Sequence, residues 1–291
     1  MKTSTVMLAL CMLTGVCSAA LVEEGFGPGY TDDASVAGLA PVRTGFAASA
    51  WTAGTIDSKR DFFHRAAGLT HALLDGETAG HLDAWVDNLE SPPNGGSISR
   101  DMDYDYADPN NVNEVWGAFL FAFNSTDGSL DIFLGDATGQ GRPAGFRITV
   151  SGGTGTVETR HAGNSADNFS VSGLAPDVAH LAVFRMTEDP GTFYDPHTFW
   201  VNPAAADISA GDIDGGQTGV AITLNPNLDT DFASAWGSLG LKTDSQNGSN
   251  ILFDEFRIGE SLGDIGVVPE PATMALLALG GLAVVGHRRK A

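Results

Sequence analysis

The chain reads as all-β, an antiparallel jelly-roll β-sandwich with an apolar segment at either end of it. Three features predict this. Hydrophobic runs are short and recur at intervals, no stretch sustains a 3.6-residue period, and 37 glycines suit a chain with many turns and bulges. In order, strands are predicted at 115–123, 130–134, 145–150, 156–160, 179–186, 198–201, 219–224, 238–241 and 251–258. Between them stand the turn formers Gly152-Gly153, Asp189-Pro190-Gly191, Asn202-Pro203, Gly215-Gly216 and Asn247-Gly248. Such spacing belongs to two antiparallel sheets packed face to face. In segment 59–74, Phe62, Phe63, Ala66, Leu69 and Leu73 have roughly helical spacing, predicting a short helix or an irregular loop. The acidic stretch 101–113 is long enough to be a functional loop, its alternative being a solvated strand connection.

The two ends read as export signals. Lys2 precedes the apolar run 6–16, and Ser18-Ala19-Ala20 offers the small residues a signal peptidase needs, so 1–20 is a signal peptide. Both cysteines, Cys11 and Cys17, fall within it, leaving the exported part without a disulfide or a thiol nucleophile. No linker or long internal repeat divides residues 21–264, so they form one β-sandwich domain, large enough to bury a substantial core. Segment 268–291 is the second signal. It begins Val268-Pro269-Glu270-Pro271, continues with fifteen small or apolar residues over 272–286, and ends on a basic cluster containing Arg288 and Arg289. As a helix the apolar run spans about 22 Å at roughly 1.5 Å per residue, short for a permanent anchor across about 30 Å of hydrocarbon. The basic cluster is held on the cytoplasmic side, placing everything before Pro269 outside. Insertion through this C-terminal helix therefore precedes processing, as a transmembrane helix that is later removed.

The order of these three parts resembles the PEP-CTERM sorting tail of Gram-negative bacteria. That resemblance implies an exosortase as partner, with Val268, Pro269, Glu270, Pro271, Arg288 and Arg289 as the sorting residues. The implied location is the cell surface or extracellular matrix.

Charge excludes one class of partner. Of 15 Lys and Arg, four lie in the terminal signals, and of 36 Asp and Glu only Glu270 does, so the exported part carries about −24. A surface so acidic repels phosphate backbones and anionic lipid, which argues against nucleic-acid binding.

Glu24-Gly25-Phe26, the run 48–54 (ASAWTAG), 115–123 (VWGAFLFAF), Phe199-Trp200-Val201-Asn202-Pro203 and 253–259 (FDEFRIG) resemble, in that order, exported concanavalin A-like lectin/glucanase domains of the laminin-G-like type. The likeness spans about 22–262 and implies fold more firmly than activity. Strict alternation in the last strand puts Leu252, Asp254, Phe256 and Ile258 on one face and Phe253, Glu255 and Arg257 on the other. Asp254 then sits among apolar neighbours and needs backbone donors, a cation or a sheet edge. In the fold family an Asp on the last strand often holds a structural calcium beside the N-terminal strand, which implies Asp254 and Glu24 as ligands. A hydrogen-bonded Asp without metal is the other reading. Asp212 and Asp214 form a second oxygen-rich candidate, although the loop lacks the downstream Glu of an EF-hand.

No catalytic residue is assigned. The Glu-x-Asp-x-Glu strand of laminarinase-type glucanases, which places acid and nucleophile in one cleft, is absent, and Asp254 and Glu255 are adjacent. The seven histidines form no close H-x-H or H-E-x-x-H pattern, and no G-x-S-x-G elbow occurs. Trp51, Trp85, Trp116, Trp200 and Trp236 could stack on sugar rings, but aromatic residues in a sandwich belong more often to the core. The expectation is an exosortase-sorted surface or matrix protein with a structural or adhesive role that takes extracellular polysaccharide. The alternative is a hydrolase or lyase of the same fold with a nonstandard site.

Overall fold

A computed structural model describes residues 22–46, 48–54, 56, 60–86, 96–103, 114–134, 145–160, 170–187, 197–208, 212–213, 217–218, 238–243 and 250–267. Among these residues fifteen strands build two antiparallel sheets: β1 Val22–Glu24, β2 Thr52–Ala53, β3 Arg60–Arg65, β4 His81–Val86, β5 Ser97–Asp101, β6 Glu114–Phe123, β7 Asp127–Leu134, β8 Gly145–Ser151, β9 Thr154–Arg160, β10 Ser170–Leu174, β11 His180–Thr187, β12 His197–Val201, β13 Gln217–Thr218, β14 Ser238–Thr243 and β15 Asn250–Gly259. The first sheet runs β13-β12-β11-β6-β15-β4-β3, with β1 also on β15, and the second runs β10-β9-β8-β7-β14-β5-β2. The predicted antiparallel sandwich is what forms. The expected strand at 219–224 and the terminal signal segments lie outside the described residues.

β6 shows why the sequence makes this fold. Its apolar run is buried on both faces: Val115, Phe119, Phe121 and Phe123 enter the core between the sheets, while Trp116, Ala118 and Leu120 enter a second apolar layer on the outer side. Gly117 permits the tight packing, since a Cβ there would collide with the Phe184 ring. The central core adds Phe146, Ile148, Phe184, Leu239, Leu241, Phe253 and Phe256 from both sheets. The outer layer is closed by Leu73, Leu74, Ile208, Ile213, Leu262, Ile265 and Val267, all outside the strands.

The expected helix or irregular loop over 59–74 is overturned in its first half, where Arg60–Arg65 is a strand paired with β4. The helical spacing of Phe62, Phe63, Ala66 and Leu69 is incidental. Phe62 faces the core with the buried His64, while Arg65, one residue on, reaches the outer-face Asp83. The Asn-Pro turn forms as expected: Asn202 adopts φ 48, and its Oδ1 accepts the Leu181 N–H at 2.9 Å.

Candidate functional site

The site lies where the two ends of the domain meet. β15 has β6 along one side. On its other side it pairs first with β4, through Asn250 to Phe253, and then with β1, in the register Val22–Ile258, Glu23–Arg257 and Glu24–Phe256. At the changeover β15 slips: Asp254 faces Leu120 but Arg257 faces Ala118, so two residues oppose the single Phe119, and Glu255 takes φ 51. This is a β-bulge. It corrects the expected alternation. Ile251, Phe253, Phe256 and Ile258 all face the core, while Asp254, Glu255 and Arg257 share the outer face. One extra residue is enough to shift every later side chain of the strand to the opposite face.

Asp254 and Glu255 are both fully buried. Asp254 accepts the N–H groups of Leu69 and Glu255, each at 2.9 Å. Burial, and after it the neighbouring Glu255 charge, push the Asp254 carboxyl up to about 9. Glu255 accepts from the Thr78 N–H, from the Thr78 hydroxyl at 2.9 Å and from Arg257 Nη2 at 2.6 Å. The same Thr78 hydroxyl lies within hydrogen-bond distance of the Gly25 carbonyl, so its one proton is shared between that oxygen and Glu255, and a side chain at Gly25 would collide with Thr78 Oγ1.

On the core side of the same junction is Glu24, with no exposed surface. Its Oε1 accepts from the Phe26 N–H at 3.0 Å and from Arg43 Nε at 2.9 Å. Its Oε2 accepts from the Tyr30 hydroxyl at 2.9 Å and from Arg100 Nη1 at 3.1 Å. Tyr30 takes a further bond from Trp51 Nε1 at 2.8 Å, and burial followed by the Glu24 charge moves its phenol above the usual range. Arg100 lies on the second sheet, so the Glu24–Arg100 pair crosses the sandwich. Its guanidinium also donates to the Pro41 and Ser49 carbonyls and lies 4.9 Å from the Phe46 ring centroid.

These contacts do not fit the calcium site that the family resemblance implied. Both Glu24 oxygens are occupied by donors that include two guanidinium groups, which supply the positive charge a cation would bring. Asp254 already accepts a backbone N–H on each of its two oxygens, from Glu255 and Leu69, which supplies the donors that its burial requires. Among the described residues no three His, Cys, Asp or Glu converge to hold a metal. Asp212 accepts from Arg185 Nη1 at 3.0 Å and from the Ile213 N–H at 2.9 Å, while Asp214 lies outside the described residues. The sorting residues Val268, Pro269, Glu270, Pro271, Arg288 and Arg289 lie outside them too.

Arg43, Arg100, Tyr30 and Thr78 were not anticipated. A signal existed for Arg100, because alternation in Ser97–Asp101 puts it on the face of the buried Ile98. A second polar constellation crosses the other sheet, where cross-strand register aligns Lys242, Asp131, Arg147 and Glu158 in one row, and Arg147 grips Asp131 through two bonds of 2.5 and 2.7 Å. Of the tryptophans, Trp51, Trp116 and Trp200 are buried, and Trp116 and Trp200 stack at 5.6 Å beneath Arg185. The Trp85 side chain and Trp236 lie outside the described residues.

Residues 267–290 match the PEP-CTERM protein-sorting motif. The chain therefore carries the signal for export and exosortase-dependent sorting at the membrane. Comparison with curated protein sequences gave no match. Among solved structures, a glycosyl hydrolase family protein from Mycobacterium fortuitum is similar with a TM-score of 0.40 at 11% identity, over 82% of this chain and 99% of its own. A protein of unknown function from Shewanella oneidensis gives 0.38 at 12%, over 91% and 96%. A β-glucanase catalytic domain from Podospora anserina gives 0.38 at 10%, over 64% and 76%. At such scores these likenesses carry no inference about activity. Among the described residues no helix is long and apolar enough to cross a membrane, and the apolar run 272–286 lies outside them.

The two buried carboxylates should answer differently to substitution. Glu24→Gln leaves two arginines without their carboxylate and should destabilise the domain by about 3–5 kcal/mol in denaturant melts, the range for breaking a buried ion pair; exhaustive chelation should leave the wild-type melting temperature unchanged. For Asp254, a folded-state pKa near 9 against an ordinary 3.8 means that its contribution is complete below about pH 4 and is lost as pH rises to about 9. Asn does not titrate, so the stability of Asp254→Asn relative to wild type should climb across that window by roughly 1 kcal/mol per pH unit. A difference that stays flat with pH would show that Asp254 is ionised in the folded protein.

Proposed function

We propose that the exported domain is a noncatalytic surface module with a structural or adhesive role, delivered by exosortase-dependent sorting and taking extracellular polysaccharide as its partner. The observation that carries the noncatalytic part is how the carboxylates are used. Glu24, Asp83, Asp131, Asp254 and Glu255 are buried, and each already accepts hydrogen bonds from arginine or backbone groups that hold strands and loops together. The bulge does bring Asp254 and Glu255 to one face, as a pair of glycosidase carboxylates requires. They lie beneath the loop carrying Leu69 and Thr78, however, with no exposed surface. Polysaccharide as partner is supported by the half-buried cross-strand pair Thr149 and Thr156, on the same outer face as the Arg147–Glu158 row, whose hydroxyls can both donate to and accept from a hydroxyl-rich ligand. The net charge of about −24 on the exported part favours neutral or basic glycans over polyanionic ones.

A polysaccharide panel tests this reading through both retention and release of reducing ends. The purified domain should be retarded by at least one neutral glycan and release no new ends from any of them. Turnover abolished by Asp254→Asn or Glu255→Gln would overturn the noncatalytic assignment. Mass spectrometry of the protein from its native surface should find no peptide beyond about Glu270, and an intact Ala291 there would overturn processing by removal of the tail.

A further inference from the structure

We propose that residues 260–267 form a clasp that fixes, on the wall of the folded domain, the point from which the sorting motif runs on, so that access to the motif limits the rate of processing. This rests on the sorting assignment above and adds a steric control built into the fold. The sorting motif begins at Val267, and Val267 is itself part of the packed structure. It is 1% exposed, forms a bridge with Leu74 and donates its N–H to the Leu262 carbonyl at 3.0 Å. The preceding turn is tied down at several points. Gly266 O accepts the Asp75 N–H at 2.8 Å, and Leu262 and Ile265 are buried in the outer apolar layer. Arg257 completes the clasp from the bulged strand, donating to the Asp75, Gly76 and Ile265 carbonyls at 2.6, 2.9 and 3.4 Å. Gly266 lies at φ +72, and a Cβ there would collide with Arg257 Nη1.

A peptidase reads several residues of extended chain on each side of its target bond. Here nothing N-terminal of Val268 can enter a cleft unless the clasp opens, because those residues are hydrogen-bonded within the fold. From Val267 to the start of the apolar run at Ala272 the chain reaches at most about 18 Å, at about 3.3–3.6 Å per residue. A membrane-embedded processing enzyme must therefore work against the domain surface formed by Leu74 to Gly76 and Glu260 to Gly263. Exposed Asp75, Glu260, Ser261 and Gly263 form that rim.

The test is a pulse-chase measurement on the full chain in its producing cell, tracking loss of the tail by mass. A flexible Gly/Ser insertion of about ten residues between Val267 and Val268 adds about 17 Å of root-mean-square reach and leaves the clasp itself intact. It should shorten the processing half-time severalfold. The same insertion at the Gly152-Gly153 turn should leave the half-time unchanged, and replacing Pro269, Glu270 and Pro271 together by Ala should block processing. An unchanged or longer half-time with the Val267 insertion, or an equal gain from the Gly152 insertion, overturns the clasp while a blocked triple variant keeps the sorting assignment. Processing of the triple variant at the wild-type rate overturns both.

Discussion

The buried carboxylate of Glu24 is the constraint on which the rest of the architecture depends. A charge with no solvent contact is tolerable only when it is neutralised and fully hydrogen-bonded, and four donors from four separate places meet it. Satisfying them requires β1 to lie on β15, the 28–43 segment to fold back over the core, and β5 of the opposite sheet to bring Arg100 into reach. Apolar burial supplies most of the driving force for a sandwich of this size, but it is tolerant of small slips in packing. The ion cluster is not, because any slip strands a guanidinium or a carboxylate. It sets the relative position of the two sheets at the edge where the chain ends meet.

The bulge at Asp254 to Arg257 does the matching work on the other face. A regular strand would carry Phe253 and Phe256 to opposite sides and push one of them out of the core. The inserted residue restores Phe256 and Ile258 to the interior and leaves Asp254, Glu255 and Arg257 facing the loops of the outer layer. Those three polar groups then supply acceptors and donors to Leu69, Thr78, Asp75 and Gly76, ordering the loop that covers them. No cysteine occurs among the described residues, so these buried polar junctions hold together what disulfides often hold in exported domains.

The sandwich was legible in the sequence because strand signals are local: unbroken apolar runs in β6 and β11, alternation in β7 and β8, and turn residues between them. Short edge strands such as β2 and β10, and the polar β3 to β5, were missed because their pairing partners decide their conformation and their own residues do not. The meeting of residues 22–26 with the last strand was legible, as was the presence of Asp254 near it. What Asp254 does there was not. Its partners include Leu69, 185 residues away in sequence, and the bulge that turns Glu255 to its side leaves no mark that alternation can read. Glu24 misled for a similar reason. A buried carboxylate needs positive charge, but whether a metal or an arginine supplies it depends on residues 19 and 76 positions distant.

The order of the strands ties folding to sorting. β15 is the last of the described strands yet lies in the middle of its sheet, with β6, β11, β12 and β13 on one side and β4, β3 and β1 on the other. Until it is in place, the two halves of that sheet have no common neighbour, and the Glu24 junction and the outer layer cannot close. Contacts of such long sequence separation form late, since the loop entropy must be overcome before they stabilise anything. The segment that completes the domain leads at once into the turn ending at Val267 and then into the sorting motif. Val267, the first residue of the motif, is thus fixed by contacts to Leu74 and Leu262 that follow directly on the strand that closes the domain.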